Sequence, residues 1–91
     1  MRQVTISGAD FTSIEEVHDF LAGELDFPSY YGKNLSALYD VLTETDLETE
    51  ITVDLTGMDE GRLKESLRRM ASVISDATGS NEAIQMVIIE A

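Results

Sequence analysis

The 91 residues contain no cysteine, one proline and one histidine, and only six basic side chains stand against eighteen acidic ones. Without cysteine there is neither a disulfide framework nor a thiolate metal site, a usage that fits a reducing compartment. The N-terminal MRQVTISGADF lacks the apolar run of about 7–15 residues that marks a secretory signal. No stretch approaches the roughly 18 apolar residues of a membrane span. A cytoplasmic protein with no membrane partner is expected. The six glycines are scattered, and none belongs to a phosphate-cradling GxGxxG or GxxxxGK[ST] loop. His18 has no second histidine or cysteine to share a metal with, and it reads as a surface or boundary residue. The acidic segment Asp46–Asp54 lacks the ligand spacing and central glycine of a calcium loop, and reads as a solvated loop and an edge strand. The neighbouring acids Glu15-Glu16 and Asp59-Glu60 sit at helix starts, where they complement the helix dipole. No metal, no cofactor and no catalytic constellation is expected, so the chain does not read as an enzyme.

What is present in excess is negative charge, and it is unevenly placed. Residues 1–61 carry fourteen acids against two bases, Arg2 and Lys33, whereas residues 62–91 carry four of each. A net charge of −12 serves solubility by itself, repels nucleic acid, and draws in a basic protein while speeding encounter with it. At 43% hydrophobic content, the chain suits one small domain over residues 1–91. A chain this short buries only about 60–65% of its unfolded surface, which leaves no room for a second core.

Local patterns give the elements. Gln3–Ser7 is a short run with β-branched residues that reads as a strand, and Gly8-Ala9 turns the chain. Ser13 and Glu16 have the spacing of a capping box, followed by Ile14, Val17, Phe20, Leu21 and Leu25 at helical spacing. Phe27-Pro28 closes that region, because the residue before proline avoids helical angles. Asn34 caps a second helix whose apolar face is Leu35, Leu38 and Leu42. Glu50–Leu55 alternates as a second strand. Asp59 is placed to cap a third helix with the stripe Leu63, Leu67, Met70 and Ile74, and with Arg62, Lys64, Arg68 and Arg69 on or beside its polar side. Thr78-Gly79-Ser80-Asn81 reads as a loop. Ala83–Ile89 is almost continuously apolar, as in a strand covered on both faces. The order β-α-α-β-α-β predicts an α/β fold with a small three-stranded parallel sheet under helical cover.

The stretch YYGKNLSALYDVLTE, residues 30–44, holds all three tyrosines. On a helical wheel with Leu35 at zero, Leu38 and Leu42 fall at about 300° and 340°. Ser36, Asp40, Thr43 and Glu44 cluster between about 80° and 180°, with Tyr39 on the boundary. The outward face is therefore short polar groups around one carboxylate, flanked by aromatics. Tyrosine-rich surfaces poor in lysine have the composition of protein interfaces; half-buried packing tyrosines beside a surface acid give the same pattern.

FPSYYGKNLSALYDVLT, residues 27–43, resembles the signature of the barstar family, intracellular inhibitors of the secreted ribonuclease barnase. That family's pattern is close to LPEYYGxNLDALWDCLT. The similarity continues more weakly through the first strand, the SI-containing first helix, the strand near Ile51–Leu55 and VISDA before the last strand. The resemblance implies a barstar-like fold and a basic ribonuclease as partner, blocked in its active-site cleft by helix 34–43 and the preceding loop. It places Tyr30, Tyr31, Gly32, Asn34 and Leu35 where the family's loop and helix start lie on the nuclease. Asp40 matches the aspartate that enters the phosphate pocket and meets catalytic Arg, Lys and His side chains. Thr43 and Glu44 continue the same face, and Asp76 aligns with a more distant acidic contact. Tyr30 and Tyr39 are placed to pack around that site and exclude water.

The chain departs from the family where Ser36 and Lys33 replace acids, Tyr39 replaces a tryptophan and Val41 replaces a cysteine. The segment after Glu44 also lacks the family's Trp-Val. These changes bear on the target, and a barstar-like module that neutralises a non-ribonuclease toxin is the alternative. A monomer in a one-to-one complex is expected. Small size, acidity and Ser36 at a helix start are also found in acyl-carrier proteins. Those are all-helical bundles modified at a DSL serine, whereas this chain has LSA and clear strand signals.

Overall fold

The computed structural model describes residues 1–90; Ala91, the last residue of the expected domain, lies outside the described residues. The elements are β1 (Arg2–Ser7), a short 3-10 turn (Gly8–Asp10), α1 (Ile14–Glu24), α2 (Leu35–Thr43), β2 (Thr49–Asp54), α3 (Arg62–Ser80) and β3 (Ile84–Ile89). The expected β-α-α-β-α-β order and three-stranded parallel sheet are both present.

The capping box forms as read from the sequence. Glu16 donates its backbone N–H to Ser13 Oγ at 3.2 Å, and its carboxylate accepts from the backbone N–H of Ser13 at 3.1 Å. The same carboxylate accepts from the backbone and hydroxyl of Thr12, and these bonds hold Glu16 below the usual carboxylate range. The Asp59 cap is not made. Gly61 precedes α3 with no side chain capping it, and Glu60 is instead taken up by Lys64 at 3.1 Å and Arg68 at 3.3 Å. Lys64 is accordingly buried rather than part of an open polar face.

The sheet order is β1-β2-β3, with both pairs parallel. Parallel crossovers are right-handed, and here both step in the same direction, so all three helices gather on one face. The alternation agrees: Val4, Ile6, Ile51, Val53 and Ile84 are buried, while Gln3, Thr5 and Gln85 are exposed. In register, Val4-Ile51-Met86 and Ile6-Val53-Ile88 run across the covered face, and Gln3-Glu50-Gln85 across the bare one. Two expectations fail on this topology. β2 is the central strand, not an edge. β3 is the edge and has cover on one face only, leaving Val87 and Ile89 exposed on the bare face, and Ile88, though on the helix side, is also exposed near the end of this edge strand.

The helices meet the sheet through Val17, Leu21, Leu38, Leu42, Leu67, Met70 and Ile74, all fully buried. Each such side chain contributes about 1.5–3 kcal/mol of burial. α3 runs on through Thr78, Gly79 and Ser80 before ending at Asn81, so the expected loop is the helix's last turn. Asn81 explains the stop. Its amide donates to the carbonyls of Leu42 and Thr45, both at 2.8 Å, and its Oδ1 accepts the N–H of Ala83 at 3.0 Å. One side chain thus closes the C-terminal end of α2, ends α3 and starts β3.

Candidate functional site

The segment between α1 and α2 is fixed from two adjacent positions of α1. His18 Nδ1 lies 2.6 Å from the Tyr31 hydroxyl, with both residues buried. The Asp19 carboxylate holds the Lys33 ammonium at 2.7 Å. Phe27 packs edge-on against the Tyr31 ring, with centroids 4.9 Å apart. His18 is therefore a core residue and not the boundary residue expected, because a hydroxyl arriving from thirteen positions along the chain satisfies it. Burial lowers the His18 pKa from 6.5, reinforced by the Lys33 charge and opposed by Asp19. Burial also pushes the Tyr31 phenol up to about 12. Lys33 takes a left-handed conformation, φ 53°, which turns the chain from this anchor into α2.

α2 starts at Asn34, whose Oδ1 accepts the N–H of Ala37 at 2.8 Å. Leu38 and Leu42 are buried beneath it, and Ser36, Asp40 and Glu44 are exposed, as the wheel requires. The C-terminal turn closes on Asp40 itself, whose backbone oxygen accepts from Thr43 Oγ1 at 3.1 Å and Glu44 N–H at 3.2 Å. Among the described residues, no hydrogen bond or ion pair engages the Asp40 carboxylate. Four of the six bases are ion-paired elsewhere: Lys33 with Asp19, Lys64 and Arg68 with Glu60, Arg68 also with Glu90, and Arg69 with Glu65. None of these pairs involves Asp40 or Glu44.

Between α2 and α3 lies an open concavity of about 280 Å³, lined by Leu35, Ser36, Tyr39, Asp40, Val73 and Asp76. Two carboxylates from different helices thus border one hollow with an apolar floor. Tyr39 is held at its rim by a 2.9 Å hydrogen bond between its hydroxyl and Ser80 Oγ. Five sequence-predicted residues converge here: Leu35, Ser36, Tyr39, Asp40 and Asp76. Thr43 and Glu44 continue the face beyond it. Tyr30, 80% exposed, stands outside the hollow in the loop with Gly32 and Asn34. Tyr31 is the buried member of the loop: its ring packs in the core. Val73 and Ser80 were missed. With Asp76 they form an i, i+3, i+7 row on α3, a spacing visible in the sequence once α3 is known to run through Ser80.

An exposed, unpaired carboxylate on a rigid helix, beside a second carboxylate and a fixed tyrosine, can receive cationic hydrogen-bond donors from a protein surface. Among the described residues there is no cluster of metal-ligating side chains and no helix long and apolar enough to cross a membrane. The class defined is an acidic α/β scaffold with an exposed, unpaired carboxylate beside a hollow between two helices. The chain belongs to the barstar family: a family profile described as "Barstar (barnase inhibitor)" matches residues 1–89. A protein of Bacillus subtilis (strain 168), named "Putative ribonuclease inhibitor YrdF", is 58% identical over 43 residues. That alignment spans 47% of this chain and 47% of the relative, somewhat under half of each.

Proposed function

We propose that this chain is a cytoplasmic, one-to-one protein inhibitor of a basic microbial ribonuclease, acting as a single barstar-like domain. The observation that carries the reading is the unpaired Asp40 carboxylate, exposed on α2 at the rim of the hollow shared with Asp76. A ribonuclease cleft is basic because it holds phosphate. A carboxylate fixed on a helix takes the phosphate's place and accepts the same charge-assisted hydrogen bonds. Asp76 and Glu44 face further basic residues at the cleft rim, while Tyr39 and Leu35 supply apolar contact that excludes water. Ser36 offers a hydroxyl where the family carries an acid, so this position contributes less to charge pairing. Lys33 does not repel the target strongly, since Asp19 neutralises it.

The test is a cleavage assay with purified barnase-like ribonucleases. Stoichiometric inhibition is expected, and Asp40→Ala is expected to weaken it by at least about 2 kcal/mol, roughly thirtyfold. Association is expected to slow steeply as salt is raised, because exposed charges are screened beyond about 10 Å at 0.1 M. If no basic ribonuclease is inhibited and Asp40→Ala changes no partner's binding, the reading fails. Recovery of a different toxin from producing cells would transfer the same face to that target.

A further inference from the structure

The site loop is tied down by groups that are not themselves on the outward face. His18 and Asp19, adjacent on α1, grip Tyr31 and Lys33, and the exposed residues Tyr30, Gly32 and Asn34 lie beside or between those two grips. We propose that His18 is a positioning residue for target binding: neutral, it latches Tyr31 and holds the 30–34 loop and the start of α2 in the binding geometry, and protonated, it lets that loop go.

The geometry leaves little place for an imidazolium. The ring is buried against Tyr31, and its Nδ1 faces a hydroxyl that brings no charge. The charged groups around it are Asp19 and Glu15 on α1, Lys33 on the loop, and Arg69 on α3, which lines the same small cavity as His18, Asn34 and Leu35. The carboxylate nearest in sequence, Asp19, is already committed to the Lys33 ammonium. Of the charges close to the ring, the Asp19 carboxylate favours a further proton more than the Lys33 ammonium opposes it, so it is burial of the ring that stands against protonation. Desolvation accordingly lowers the His18 pKa, and the latch stays shut through neutral pH. Asn34 and Leu35, which border that cavity, are the cap and first residue of α2. Loosening there reaches the helix that carries Asp40.

The latch is a property of the free chain; its effect on affinity rests on the inhibitor reading above. Two measurements separate them. In the free protein, amide hydrogen exchange of Gly32, Lys33 and Asn34 is followed from pH 8 downward in the wild type and in His18→Asn. Asparagine places a non-titrating amide near the Nδ1 position, and the ratio of the two proteins' rates cancels the intrinsic pH dependence of exchange. The ratio is expected to rise as pH falls below 6.5, the ordinary histidine value, with the midpoint of the His18 ring's own NMR titration. A level ratio, or a midpoint unrelated to the ring's, overturns the latch. Should His18→Asn fail to fold, the comparison of loop-amide and ring midpoints in the wild type alone decides.

The second measurement is the dissociation constant for a ribonuclease inhibited in the cleavage assay, over the same pH range. The ratio of wild-type to His18→Asn constants is expected to climb by up to about tenfold per pH unit once His18 titrates. Any titration of the nuclease's own groups is common to both and cancels. A role in stability alone would leave this ratio flat while both proteins remain folded by circular dichroism, and that result overturns the positioning role. Failure to find any inhibited ribonuclease removes the inhibitor reading and leaves the exchange result to stand or fall separately.

Discussion

Replacing Asn81 by alanine tests whether α2 is held at its far end. The amide of Asn81 donates to the carbonyl of Leu42 in the last turn of α2 and to that of Thr45 just beyond it, at 2.8 Å each, and its oxygen takes the N–H of Ala83 at 3.0 Å. A typical intramolecular hydrogen bond contributes about 0.5–1.5 kcal/mol net. Three bonds at a half-buried position, where water refills part of the loss, give about 2–3 kcal/mol. That is a large fraction of the roughly 5–15 kcal/mol of a small domain, and corresponds to a melting temperature lower by about 10–20 °C. Urea denaturation followed by far-ultraviolet circular dichroism measures it, with an unchanged slope showing that the folded and unfolded states are otherwise the same. Asn81→Asp sharpens the test. It keeps the acceptor for Ala83 but sets a carboxylate against the negative end of α2, so at neutral pH it should destabilise at least as much as alanine. A loss below about 0.5 kcal/mol for alanine, or a milder loss for aspartate than for alanine, refutes the assignment of Asn81 as the shared tie.

Three further outcomes follow from the same geometry. Gly8→Ala should lower stability by about 1–3 kcal/mol in thermal melts, because a Cβ there would overlap Met58 Sδ and lie 2.9 Å from Leu67 Cδ1 and 3.2 Å from the Asp54 carbonyl. The His18–Tyr31 pair should set a fall in stability on each side of neutrality. His18 is lowered from 6.5 by folding, so its contribution is complete above that value and lost as pH falls through its folded pKa. Tyr31 is raised from 10.0 to about 12, so its contribution is complete below 10.0 and lost as pH rises toward 12. Denaturant midpoints against pH check both limbs, and Tyr31→Phe should flatten the alkaline one. Tyr31→Phe should also cost about 1–3 kcal/mol at neutral pH, since it strands a buried ring nitrogen.

How far the fold was legible depended on how far apart the cooperating residues lie. The Ser13–Glu16 box and the Asn34 cap operate over three residues and were readable as they stand. The stripe on α2 was equally clear, because two turns of one helix contain the whole pattern. Errors collected where an element's state is decided by a distant partner. β2 and β3 exchanged central and edge positions because strand order is set by the two crossovers, not by the apolarity of either run. His18 looked like a boundary residue until Tyr31 supplied its hydrogen bond. Thr78-Gly79-Ser80 has the composition of a loop, yet α3 continues through it because Asn81 is bonded to α2.

The site divides in the same way. Ser36, Tyr39 and Asp40 were visible on one helix. Their meeting with Asp76 around one hollow depends on the register of α3 against α2, which no short window contains. Tyr31 shows the opposite case: a short motif shows that a tyrosine is there but not that its ring is buried against His18 from α1.

The one-sided arrangement of the helices has a practical outcome for anyone wishing to watch this molecule work. Gln3, Thr5 and Gln85 sit on the uncovered side of the sheet, turned away from Asp40. A dye, an affinity handle or a linker to a sensor chip joined at Gln85 stands behind the scaffold and leaves α2 and its exposed carboxylates unobstructed.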